Sequence, residues 1–119
     1  MRTSATAFGT PSLNAKLRAV LAEIRRRFQD LYGDRLVTLV LYGSQARGDA
    51  EPGSDIDVMV VLNGSVQAGA EVQRTGAVVS DVSLEFDEVV TCVFVNEEEF
   101  ARRNTPLLLN VRREGVVVA

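Results

Sequence analysis

From Leu13 the apolar residues recur at Leu17, Val20, Leu21, Ile24, Phe28, Leu31 and Tyr32, in steps of four, three and one that line up on one stripe of a helix. Ser12 is placed to cap the start of that helix, and Gly33 to end it. Leu36 to Tyr42 (LVTLVLY) is almost continuously apolar and rich in β-branched residues, the pattern of a strand buried on both faces. It gives way at Gly43-Ser44 to a polar stretch with several turn formers, after which Asp55 to Leu62 (DIDVMVVL) predicts a second strand, closed by Asn63-Gly64. Between 66 and 86, Val72, Val79, Val82 and Phe86 keep helical spacing, weakened by Gly69 and Gly76. Val89 to Val95 (VVTCVFV) predicts a third strand. EEEFARR, acidic first and basic later, suits a short helix, and a last helical piece from Leu107 to Glu114 stops at Gly115. This order predicts an α/β (α+β) fold, a small mixed sheet of about three to four strands flanked by helices.

Length sets the frame for these elements: 119 residues hold one small domain, placed over 13–119 behind a loose polar leader at 1–12. With 46% hydrophobic and 24% charged residues, the chain can bury a core. Net charge is −3, which argues against bulk nucleic-acid binding and against an anionic membrane surface. The basic clusters at 25–27, 102–103 and 112–113 read mainly as solvated helix faces. No run approaches the roughly 18 apolar residues of a membrane span, and a cytoplasmic location is expected. Cys92, the one cysteine, sits mid-strand among apolar neighbours and reads as core rather than nucleophile.

The absence of histidine narrows the chemistry most, because it removes the usual general base, the Ser/His and Cys/His pairs, and the commonest zinc ligand. Any chemistry falls to carboxylates. Asp55 and Asp57, two residues apart at a strand start, present two acids on one face. Such a pair repels itself unless a cation is held between, and hard oxygen ligands suit Mg²⁺, which keeps waters and shares substrate phosphates. Gly43-Ser44, where one strand runs into a turn, offers backbone N–H groups and a hydroxyl to an anion. If the two strands are antiparallel, an anion grip and a cation site come to lie side by side. The plainer alternative is that Gly43 only turns the chain, that Asp55 and Asp57 flank a turn after Pro52-Gly53, and that Arg47 pairs with one of them. The spacing matches neither a Walker A loop nor a dinucleotide fingerprint.

The segment YGSQARGDAEPGSDIDVMVVL resembles the nucleotidyltransferase superfamily that includes DNA polymerase beta and kanamycin nucleotidyltransferase, and in size the chain is most similar to minimal nucleotidyltransferase domains. The resemblance is strong over residues 36–62 and extends loosely to about 95. It implies the nucleotidyltransferase fold and Mg²⁺-dependent, two-metal transfer of a nucleoside monophosphate, AMP from ATP or another NTP, to an acceptor hydroxyl. It implies that Gly43, Ser44 and Arg47 bind the nucleotide and that Asp55 and Asp57 bind metal. A third carboxylate is implied on the next strand, yet VVTCVFV holds no acid. That role would fall to Glu85, Asp87 or Glu88 at the strand's entrance, with Asp87 favoured, or be absent. Larger relatives carry an acceptor-recognising second domain, so here the acceptor is expected from a second copy or a partner, such as a helical HEPN-family protein in a toxin–antitoxin pair. Two other readings stand beside this one: a catalytically weak or inactive subunit that binds nucleotide or partner, and a small-molecule modifier of the antibiotic-adenylylating kind, disfavoured for want of a second domain.

Overall fold

A computed structural model describes residues 14–118; the expected leader and the Ser12 cap lie outside them. The first helix, α1 (Ala15–Tyr32), starts at Asn14, whose Oδ1 accepts the Leu17 N–H at 2.7 Å, so Asn14 is its N-cap. Its stripe is buried at Leu17, Val20, Leu21, Ile24, Phe28 and Tyr32. Leu31, predicted on that stripe, is 42% exposed, because Tyr32 takes the inward position in the last turn.

After a 3₁₀ turn at Gly33–Arg35 come β1 (Leu36–Tyr42), a single helical turn α2 (Ser44–Arg47), β2 (Ile56–Leu62), α3 (Ala68–Phe86) and β3 (Val90–Asn96). The chain continues through α4 (Glu97–Arg102) and α5 (Pro106–Glu114) to β4 (Val116–Val118). Asn96 and Glu99 form a reciprocal capping box at the acidic start of α4. The strands make one mixed sheet in the order β3-β2-β1-β4. β1 runs antiparallel to β2 and to β4, while β2 and β3 are parallel, joined by the crossover helix α3.

β1, β2 and β3 each feed two cores by alternation. Ile56, Val58, Val60 and Leu62 join Leu39, Leu41 and Phe94 beneath α1 and α3. Met59 and Val61 join Val40, Leu108 and Val111 on the face that α5 covers, with Phe100 of α4 packed beside them. α3 departs from its predicted pattern at its start: the buried residues there are Glu71 and Thr75, whereas Val72 is 53% exposed. Glu71 is tolerated inside because Tyr32 donates to it at 2.6 Å and Arg74 pairs with it at 3.0 Å.

Candidate active site

The antiparallel register of β1 and β2 brings the end of one against the beginning of the other, with Tyr42 opposite Asp57. β1 then leaves the sheet through Gly43, whose φ of 76° and ψ of −156° suit a residue without a side chain. Space makes the same demand. A Cβ on Gly43 would stand 2.5 Å from Asp57 Oδ2, so only glycine lets the backbone lie against that carboxylate. The two halves of the sequence motif are therefore in direct contact.

Asp57 points to the α5 side of the sheet, as Met59 and Val61 do farther along β2. Asp55 lies one residue before the strand, whose first amide, Ile56 N–H, donates to the Val89 carbonyl at 2.8 Å. With Ile56 buried on the opposite face, alternation puts Asp55 on the Asp57 side, and Asp55 is exposed. Beyond Gly43, Ser44 opens α2, which Gly48 ends in the left-handed conformation. The first amides of any helix lack intrahelical acceptors, and here they start next to Asp57. Arg47, the last residue of α2, is exposed and ion-paired with Asp49 at 3.1 Å and Glu114 at 3.8 Å, and with neither Asp55 nor Asp57.

Two neighbours complete the surroundings of Asp57. On β3 its register partner is Thr91, whose hydroxyl donates to Asp57 Oδ1 at 2.6 Å. On β1, Tyr42 is half-buried; burial and then the Asp57 charge push its phenol above the ordinary value. The signal for Thr91 in the sequence is slight, a hydroxyl in a largely apolar strand. Only the β2–β3 register shows which carboxylate it meets.

The acids at 85–88 fall at the same end of the sheet, since Ile56 pairs with Val90. Asp87 caps α3 in the left-handed conformation, φ 54°, exposed beside Gly53, Leu84 and Val89. Glu88 is ion-paired with Lys16 at 3.0 Å, and Glu85 is exposed. Among the described residues, no three acidic, histidine or cysteine side chains group to hold a metal ion. Cys92 lies on the opposite face in an apolar groove with Val79 and Phe94, where burial pushes its thiol up to about 12.

The donor set fits Mg²⁺ shared with a substrate better than a closed protein cage: two carboxylates, one of them exposed, and hard oxygens only. Among the described residues no helix is long and apolar enough to cross a membrane.

Comparison with known proteins agrees with the fold. Residues 21–113 match the family model of the nucleotidyltransferase domain. Two proteins of Methanocaldococcus jannaschii, each named "Putative protein adenylyltransferase", are similar in sequence. The chain is 28% identical to MJ0141 over 60% of its own length and 72% of that protein's. It is 31% identical to MJ1305 over 59% of its length, spanning 46% of that protein. Among solved structures, a crystal structure of a toxin–antitoxin with AMP-PNP superposes with a TM-score of 0.61 at 20% identity, over 83% of this chain and 72% of that one. A mutant form of the toxin–antitoxin MntA-HpeT gives 0.59 at 18% identity, over the same shares of the two chains. At these identities the structures speak for the fold alone.

Proposed function

Since this chain belongs to the nucleotidyltransferase domain family, we propose that it transfers a nucleoside monophosphate, AMP from ATP, to a hydroxyl on a partner protein. The observation that carries the reading is the close approach of the Gly43 backbone to the Asp57 carboxylate, which supports one composite site of an anion grip and a cation site. Names of relatives support the nucleotide and the acceptor class: both archaeal proteins are named protein adenylyltransferases, and one neighbour was crystallised with AMP-PNP.

In this reading the triphosphate lies across the start of α2, where backbone amides and the Ser44 hydroxyl face its oxygens. Arg47 exchanges its exposed carboxylate partners for phosphate, a small cost because surface pairs contribute little. Asp55 and Asp57 would hold Mg²⁺, which when bound would neutralise phosphate charge and polarise the α-phosphorus. The acceptor oxygen forms a bond to the α-phosphorus as the bond to the bridging oxygen breaks, and pyrophosphate leaves. Its proton passes to solvent or to a carboxylate of the site. Asp87 stands apart and holds no metal in this reading. Asp87→Asn, which keeps the left-handed cap, is expected to retain cation binding; its loss would reinstate Asp87 as a third ligand.

The toxin–antitoxin neighbours support a cognate protein as acceptor, here read as a helical HEPN-family toxin that modification would silence. Incubation with ATP labelled at the α-phosphate and the co-purified partner should label that partner, and the Asp55→Asn/Asp57→Asn double variant should not. Equal labelling by both would end the proposal. One observation favours a second reading, in which the chain binds nucleotide and partner without turnover: among the described residues no cluster of three acids forms to hold a metal ion. Calorimetric ATP binding with no partner labelled would select it.

A further inference from the structure

A single row of side chains crosses three strands at the site: Tyr42 on β1, Asp57 on β2 and Thr91 on β3. Within it Asp57 Oδ1 accepts from the Thr91 hydroxyl at 2.6 Å, while Oδ2 lies beside Gly43, 2.5 Å from where a Cβ on that residue would stand. We propose that Thr91 is a positioning residue for Asp57, fixing the carboxylate in the orientation in which it takes a divalent cation; this rests on the reading of Asp55 and Asp57 as the cation's ligands.

The physical case starts from the freedom of an aspartate. Its terminal torsion is broad and roughly two-fold, so an unrestrained carboxylate presents its lone pairs over a wide arc. Threonine in a strand is stiff at its first torsion, so its hydroxyl oxygen keeps a fixed place from which the proton turns to the acceptor. A carboxylate has about four acceptor sites, of which Thr91 uses one, leaving the rest for a cation and its waters. The hydroxyl also satisfies a half-buried charge that the neighbouring apolar strand would otherwise leave partly desolvated. Partners of this kind, which touch the ligand and not the metal, are worth roughly 10–100-fold in metal affinity.

Manganese serves as the probe, because free Mn²⁺ is counted directly by electron paramagnetic resonance without any turnover. Four proteins are titrated: wild type, Asp57→Asn, Thr91→Val and Thr91→Ser. Asp57→Asn should abolish high-affinity binding. Thr91→Val, close in shape but without the hydroxyl, should weaken it about 10-fold, and Thr91→Ser should restore it. A thermal melt of each variant confirms the fold, and Thr91→Ala replaces Thr91→Val if the latter does not fold. Wild-type affinity in Thr91→Val, with binding lost in Asp57→Asn, overturns the role of Thr91 and leaves the acidic pair intact. Unchanged binding in Asp57→Asn overturns the acidic pair itself, and the role of Thr91 with it.

Discussion

Gly43 is asked for three things at once: a positive φ, room for the Asp57 carboxylate, and an amide-lined turn directly after β1. An alanine there meets strain of about 1–3 kcal/mol from the backbone alone, and its methyl displaces Asp57. Gly43→Ala is therefore expected to lower stability by at least that amount and to weaken Mn²⁺ binding together with it, measured by denaturant unfolding and by resonance titration. The second buried device at this scale is Tyr32 with Glu71. Burial alone would raise the Glu71 carboxyl, but the hydrogen bonds from Tyr32 and Arg74 outweigh it and hold it below its ordinary value. A depressed folded-state value contributes stability above about pH 4.5, lost as pH falls through the folded value. Tyr32→Phe should cost about 1–2 kcal/mol near neutrality and shallow the acid limb of the stability profile.

Both tyrosines of the chain lie above the ordinary phenol value of 10.0, Tyr32 through burial and then its bond to Glu71, Tyr42 through burial and then the charge of Asp57. A raised folded-state value gives stability that is complete below pH 10 and lost as pH rises through the folded value. Ultraviolet titration of the native protein at pH 10 should thus show little tyrosinate, and Asp57→Asn should lower the Tyr42 transition. Cys92 follows the same logic: with its thiol pushed up to about 12, it should react with an aromatic disulfide reagent far more slowly folded than unfolded.

At the scale of elements, what the chain spelled out and what it concealed divide by the range of the interactions involved. β1 was legible to its ends because seven residues of continuous apolar sequence stop at a glycine. β2 was legible but for Asp55, which stands just outside the ladder. α3 formed despite Gly69 and Gly76, since packing of Val82 between α1 and the sheet outweighs propensity. β4 was not foreseen: Val116–Val118 is too short to show a period, and it exists because Gly115 brings the chain against β1, where a Cβ would meet Val111 O and Val40 Cγ1 at 2.5 Å each. Thr91 was hidden for the same reason, because its meaning depends on a register with a strand far along the chain. The approach of Gly43 to Asp57 could be anticipated, as the short polar connection permits an antiparallel neighbour, whereas the place of Asp87 at the left-handed end of α3 is a matter of tertiary geometry.

Across the whole molecule, the order β3-β2-β1-β4 places the site at the end of the two inner strands, on the side covered by α5, with α1 and α3 packed on the other face. That arrangement packs the strands that carry Asp57 and Gly43 on both faces, while Asp55 stays exposed at the strand start. The central claim is that Gly43-Ser44 and Asp55-Asp57 act as one nucleotide–cation site. Calorimetry with a non-hydrolysable ATP analogue, with and without Mg²⁺, tests it most directly. The account predicts binding that requires Mg²⁺ in the wild type and disappears in the Asp55→Asn/Asp57→Asn double variant while its melting curve persists. Binding of equal strength in wild type and double variant, or no binding to the folded wild type with Mg²⁺ present, would contradict it.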